Sequence, residues 1–356
     1  MRAEIVSMTA YRLDEEAIAR AGEILKQGGL VAFPTETVYG LGGNALDPEA
    51  SKKIYAAKGR PSDNPLIVHI ADMESLERLV TEVPEKARIL AEKFWPGPLT
   101  MIFPKTEVVP FETTGGLDSV AVRFPSDSIA QAMIRAAGGY VAAPSANTSG
   151  RPSPTTAQHV EEDLGDAIDM IIDGGPVGIG LESTIVDFTE DVPVVLRPGY
   201  ISLEMLKETL GEVRMDKGLI SPDSSIRPKA PGMKYRHYAP KADLAIVEGE
   251  TDAVVEAVNG FSAAADERGE QVGIIAAEET VSRYPKGIVK CIGSREEEET
   301  IAHNLYEVLR EFDQCQVSEI YSEAFYTPKM GQAIMNRLLK AAGHKIISVQ
   351  EEKEKC

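Results

Sequence analysis

Apolar and polar positions alternate along this chain in two rhythms, and their order predicts its elements. Over residues 14–27 (DEEAIARAGEILKQ), Ala17, Ile18, Ala21, Ile24 and Leu25 share one helical face, and Gly28-Gly29 ends the pattern. LVAFP (30–34) reads as a short buried strand, and 48–58 as a helix with Pro48 in its first turn. PLIVHIA (65–71) is a strand, followed by amphipathic helices at 74–80 and 84–95. Strands are predicted at 99–105, 119–125, 140–147, 167–175, 183–188 and 192–199, with a helix at 127–138. Within 119–125 the rhythm is two: Arg123 lies on the side opposite Val120 and Val122, a side that faces either solvent or a pocket. Helices alternating with strands, some strands joined by turns alone, predict an α/β domain with a mixed sheet.

The pattern lapses over 213–241, which is rich in proline and has no periodic apolar face. It resumes as strand 244–249, helix 251–267, strands 271–277 and 287–293, helix 295–312, strand 317–324, helix 329–342 and strand 345–350. That order predicts a small, parallel, doubly wound α/β domain. The boundaries drawn are 1–212 for a first domain, 213–242 for a basic linker or lid, and 243–356 for the second domain.

Composition narrows the function classes. The 356 residues carry a formal charge of -19, and neither half is basic: 18 Lys and Arg against 32 Asp and Glu over 1–212, and 19 against 24 beyond. Non-specific nucleic-acid binding needs a basic footprint that is missing here. No apolar run reaches membrane-spanning length, and the first residues lack a signal-peptide core, so a cytoplasmic location is expected. Cys291, Cys315 and Cys356 are odd in number and widely spaced, which suits neither a disulfide framework nor a zinc site. Against the acidic background, 227–241 (RPKAPGMKYRHYAPK) holds five basic residues and no acid.

Five stretches put polar side chains beside short strands, where α/β sheets hold ligands. FPTETVYGLGG (33–43) offers hydroxyls and a glycine-rich turn just past a strand end. KGRPSDNPLIVHI (58–70) places Lys58 and Arg60 at a helix end, either as partners of the helix dipole or as a clamp on phosphate oxygens. His69 in the same stretch reads equally as a core residue. SVAVRFPSD (119–127) contributes Arg123, and APSANTSGRPSPT (144–156) is dense in hydroxyl donors, or else a Ser/Pro linker. GLESTIVD (180–187) with VLRPG (195–199) adds Ser183, Thr184 and Arg197. Convergence of Lys58, Arg60, Arg123 and Arg197 would make a site for a polyanion plus a small polar molecule, working by positioning and charge stabilisation without a covalent nucleophile. P-loop, complete dinucleotide-fingerprint, H-E-x-x-H and G-x-S-x-G patterns do not occur.

PTETVYGLGG, KGRPSDNPL, PSANTSGRPSPT and ESTIVD, in this order, resemble the YrdC-type domain. With PGMKYRHYAPKA and the trailing α/β domain, the chain looks like the two-domain form of that family, the L-threonylcarbamoyladenylate synthases. The resemblance implies a YrdC-like α/β domain with a twisted mixed sheet and a smaller Rossmann-like domain. It implies synthesis of threonylcarbamoyl-AMP from L-threonine, bicarbonate or CO₂ and ATP, with Mg²⁺ and release of pyrophosphate, for modification of tRNA beside the anticodon. It assigns Thr37, His69, Arg123, Ala143 and Ser183 to threonine, and Lys58, Arg60, Asn64, Ser119, Ser145, Asn147, Ser153 and Arg197 to ATP. No metal ligands from protein side chains are implied; downstream tRNA-modification proteins would be partners, with tRNA binding by this chain weak at most. Tyr235, Arg236 and His237 are candidates for a lid over the nucleotide. An RNA-binding module and a hydrogenase-maturation type carbamoyltransferase share the domain; the acidic charge opposes the first, and the cysteines cannot build the zinc-finger segments of the second.

Overall fold

The structure, a computed structural model, describes residues 2–216, 229 and 237–349. The chain divides into two units, Met1–Ser149 with Ser153–Tyr235, and Gly150–Pro152 with Arg236–Cys356.

The first unit opens with β1 (Glu4–Ser7), α1 (Glu15–Lys26), β2 (Val31–Phe33), β3 (Gly40–Asn44) and α2 (Pro48–Lys58). Next come β4 (Ile67–His69), α3 (Glu74–Leu79), α4 (Glu85–Phe94), β5 (Leu99–Pro104) and β6 (Ser119–Arg123). After them follow α5 (Ser128–Ala136), β7 (Val141–Ala142), α6 (Ala157–Leu164), β8 (Met170–Asp173), β9 (Thr184–Asp187), β10 (Val194–Arg197), α7 (Leu203–Leu210) and β11 (Arg214–Met215). The strands form one mixed sheet, ordered β1-β8-β2-β3-β7-β4-β6-β5-β9-β10-β11.

Alternation along the central strands builds two faces. Val68, Leu99, Met101, Phe103, Val120, Val122 and Val186 point into the main core. Their neighbours Ile67, Ile102, Ala121 and Ile185 form a small apolar cluster with Leu196 on the opposite face. Arg123 and His69 follow the second set, so the side left open by the sequence pattern is covered by protein: both are under 5 % exposed.

One expectation is corrected. The glycines of 40–43 form a strand, β3, instead of a turn, pairing with β2 and β7. Their neighbours explain it: a Cβ at Gly42 would come within 2.9 Å of Val141, and one at Gly43 within 2.9 Å of Ile54.

In the second unit, β12 (Asp243–Glu248), α8 (Thr251–Glu267), β13 (Val272–Ala277), β14 (Ile288–Gly293), α9 (Glu298–Phe312), β15 (Glu319–Glu323), α10 (Gly331–Ala341) and β16 (Ile346–Ser348) give a parallel sheet ordered β14-β13-β15-β12-β16. The α9 helix starts three residues later than its pattern predicts. Gly150–Pro152 belongs to this unit: Arg310 donates to the Pro152 carbonyl at 2.6 Å and Arg151 pairs with Asp313 at 3.4 Å. Among the described residues no helix is long and apolar enough to cross a membrane.

Candidate functional site

The segment Thr35–Gly40 is where four of the five polar stretches meet. Its conformation is set locally: Thr35 Oγ1 accepts from the Thr37 and Val38 amides and donates to the Val38 carbonyl at 2.7 Å. The amides of Ile179 and Gly180 donate to the Glu36 and Thr37 carbonyls. Tyr39 bonds through its amide to Pro154 and through its carbonyl to Ala146, and Gly40 bridges Ser145. Arg123 reaches the segment from β6 and lies 2.8 Å from Glu36. The remaining stretch, 58–70, joins through Lys58.

Lys58 ends α2 on its buried stripe, in line with Ala50, Ser51, Ile54 and Tyr55. Asp47 caps the helix start, and Gly59, at φ 62°, ends it in the left-handed conformation that favours glycine. The lysine is thus 2 % exposed. Its Nζ donates to the Ser145 carbonyl at 2.5 Å, to the Asn147 carbonyl, and to Asn147 Oδ1 at 3.4 Å. Ser145 Oγ donates to the same Asn147 Oδ1 at 2.5 Å, so Lys58, Ser145 and Asn147 form one network. Arg60 bends back on its own loop, donating to the Asn64 and Pro65 carbonyls at 3.0 and 2.9 Å. Tyr55 also donates to the Asn64 carbonyl, and burial pushes its phenol up to about 12 despite the charge of Arg60.

A second group runs across the sheet. His69 on β4, Arg123 on β6 and Thr100 on β5 are register partners in a row. Thr100 shares a 2.7 Å hydroxyl contact with Ser183, whose carbonyl and hydroxyl accept from Arg197 at 3.0 and 3.2 Å. Ala143 sits beside the row, its amide donating to the Ile67 carbonyl. Ser153 donates to the buried Glu182 carboxylate at 2.6 Å. Ser119 stands apart, four residues upstream of Arg123 on the same face, roughly 13 Å along the strand. His237 lies in the second unit with its ring 5.5 Å from that of Tyr238; Tyr235 and Arg236 lie outside the described residues.

The sequence reading missed three members. Glu36 stood inside a quoted motif without a role. Thr100 is the polar position that alternates with Leu99 and Met101. Asp187, at the end of β9, is buried and pairs with Lys229 of the basic segment at 3.0 Å. Burial works against the charge of Lys229, but Asp187 and Glu190 outweigh it and raise its pKa.

His69 is fully enclosed. Burial first, and then the charge of Arg123, hold its pKa down to about 3, although its Nδ1 bonds the Ile67 carbonyl at 3.1 Å. A carbonyl only accepts, so Nδ1 carries the proton and the ring is neutral at physiological pH. Unfolding restores a pKa near 6.5. Between about 3 and 6.5 the unfolded chain therefore binds the extra proton, and stability present above pH 6.5 is lost as pH falls through that window. Thermal unfolding from pH 7.5 down to 4 is expected to show a steeper fall in Tm for the parent than for His69→Gln. Parallel curves would contradict this.

Two family models match the chain, one described as Telomere recombination over residues 23–199 and one as Threonylcarbamoyl-AMP synthase, C-terminal domain, over 201–343. The threonylcarbamoyl-AMP synthase of Bacillus subtilis is 49 % identical over 335 residues, 94 % of this chain and 95 % of its own length. That of Pyrococcus abyssi is 50 % identical over 345 residues, 97 % and 99 %. The crystal structure of P. abyssi Sua5 complexed with L-threonine superposes with a TM-score of 0.91 at 48 % identity, covering 98 % of this chain and all of that one.

Proposed function

This chain belongs to the threonylcarbamoyl-AMP synthase family, and from that premise we propose how its first unit works. The reaction makes L-threonylcarbamoyl-AMP from L-threonine, bicarbonate and ATP, with release of pyrophosphate, and is the first step of threonylcarbamoyladenosine formation in tRNA. Arg123, His69, Thr37, Ser183 and the main chain at Ala143 hold threonine. Lys58, Arg60, Asn64, Ser119, Ser145, Asn147, Ser153 and Arg197 hold ATP.

The carrying observation is the meeting of four polar stretches at Thr35–Gly40, with the fifth joined through Lys58 at Ser145 and Asn147, and Lys58, Arg123 and Arg197 each under 5 % exposed. Lys58 and Arg197, buried and held by carbonyls and hydroxyls, keep a positive field directed at an anion, undamped by bulk water. In the first step the threonine nitrogen, as a free amine, bonds to the carbon of bicarbonate; water leaves and the product is a carbamate. A carbamate oxygen then attacks the α-phosphorus, and the bond to the bridging oxygen breaks with pyrophosphate as the leaving group. Lys58 and Arg60 steady the triphosphate as charge moves onto that leaving group. No side chain forms a covalent intermediate. Mg²⁺, if bound, would be held mainly by the triphosphate oxygens, which suit a hard cation, and would offset their negative charge; among the described residues there is no group of three His, Cys, Asp or Glu to cage it.

The enzyme acts in the cytoplasm and passes its product to the proteins that modify tRNA. Mass analysis of a reaction with labelled bicarbonate, threonine and ATP tests the assignment: absence of threonylcarbamoyl-AMP overturns it. Arg60→Ala is expected to abolish pyrophosphate release that depends on threonine and bicarbonate, a loss of roughly 100-fold or more for a charge-assisted contact at the reacting end. Its loop contacts to Asn64 and Pro65 make a melting curve the necessary companion. A folded Arg60→Ala protein with near-normal turnover would remove Arg60 from the site.

A further inference from the structure

Glu36 is an unusual acid: its side chain is partly exposed, yet its charged end is enclosed. Both its carboxylate oxygens are shielded from solvent, and neither forms a hydrogen bond. Arg123 Nη2 lies 2.8 Å from Oε1, close enough for an ion pair but out of line for a hydrogen bond, and Arg123 Nε is likewise without a partner. A pair made for stability alone would be aligned and hydrogen-bonded, because desolvation of both ions otherwise exceeds their attraction. A second carboxylate, Asp127, is near enough to feel the charges of Glu36 and Arg123, but it is already occupied: its Oδ1 accepts from the Ala130 amide at 2.9 Å and caps α5. Glu36 is not, and the hydrogen bonds from Ile179 and Gly180 to the carbonyls of 36 and 37 fix its backbone in place.

An α-amino acid carries a carboxylate and an ammonium on one carbon, with its charges a few ångströms apart. The Glu36–Arg123 pair presents the opposite charges at a comparable spacing, with their hydrogen-bonding directions still open. Neutral His69 on the adjacent strand adds no competing charge.

We propose that Glu36 is the ammonium-binding half of a zwitterion clamp, and that in the substrate-free enzyme it holds the place of the substrate carboxylate against Arg123. The proposal rests on Arg123 being the carboxylate partner. On binding, the incoming carboxylate takes the guanidinium and Glu36 turns its open oxygens to the ammonium. Glu36 thereby selects an α-amino acid over the corresponding α-hydroxy acid.

The test is calorimetric binding of L-threonine and of (2S,3R)-2,3-dihydroxybutyrate, in which a hydroxyl replaces the ammonium, to the full-length parent, Glu36→Gln, Glu36→Asp and Arg123→Gln. Glu36→Gln is expected to weaken threonine roughly 10- to 100-fold, as for loss of one charge-assisted contact, and to leave the dihydroxy acid within about threefold. Glu36→Asp, which keeps the charge, is expected to restore most of the discrimination. Equal weakening of both ligands by Glu36→Gln would mean that Glu36 only props Arg123, and unchanged threonine affinity would remove it from the site; either overturns the proposal. Arg123→Gln is expected to weaken both ligands. If it binds both normally, the carboxylate assignment itself fails, whatever Glu36→Gln shows.

Discussion

Arg123→Gln is expected to cut threonine-dependent pyrophosphate release by about 1,000-fold or more, and to destabilise the fold by about 3 kcal/mol. The two effects have one origin. Arg123 is 4 % exposed and supplies positive charge to a pocket that also contains Glu36 and feels Asp127. Removing it leaves the shielded Glu36 carboxylate without its counter-charge, at the desolvation cost this carries. In the proposed site the same removal also deletes the forked donor for the amino-acid carboxylate. Arg123→Lys separates the contributions. It keeps the charge, so most of the stability should return, but a single ammonium cannot reproduce two parallel hydrogen bonds. Activity within tenfold of the parent in a folded Arg123→Gln protein would overturn the role.

Lys58→Met is expected to be nearly as damaging by another route. Methionine matches the length of the lysine stem but donates nothing. The carbonyls of Ser145 and Asn147 would each lose a buried partner, at about 1–3 kcal/mol apiece. Those carbonyls carry only partial charge, so the native ammonium holds the 144–149 loop in place and, in the proposed site, keeps a field for the phosphates. ATP affinity should fall by about 100-fold or more, read by titration calorimetry, with a lowered Tm in the absence of nucleotide. A variant that melts lower but binds ATP as the parent does would make Lys58 purely a loop tether.

Local rhythm accounts for what was legible in the chain. Each strand and helix of the second unit, and most of the first, follows from a periodicity that needs no knowledge of neighbours. The alternation around Arg123 even gave its side of β6. What covered that side was unreadable, because it depends on Thr35–Tyr39 arriving from nearly ninety residues away. β1 escaped notice because EIVS is short and mostly exposed. The glycine run of β3 was misread because glycine signals a turn and a tightly flanked strand alike; only Val141 and Ile54 decide between them. Lys58 reads from the sequence as either a helix-dipole partner or a phosphate clamp, although its place in the stripe of Ala50, Ile54 and Tyr55 already marks it as buried. Strand order was beyond reach: β1 pairs with β8 across more than 160 residues, and no local pattern records such a partner.

The two faces of β6 carry a consequence for how such an enzyme diverges. Val120 and Val122 answer to the main core, where volume is the criterion; Ala121 packs a small apolar cluster on the other face, and Arg123, in the proposed site, answers to shape and charge toward a ligand. Two kinds of selection are thus interleaved residue by residue on a single strand, each nearly blind to the other. In the proposed site a change of charge at Arg123 would alter the ligand while the even positions keep the scaffold, and repacking at Val120 and Val122 would leave the chemistry intact.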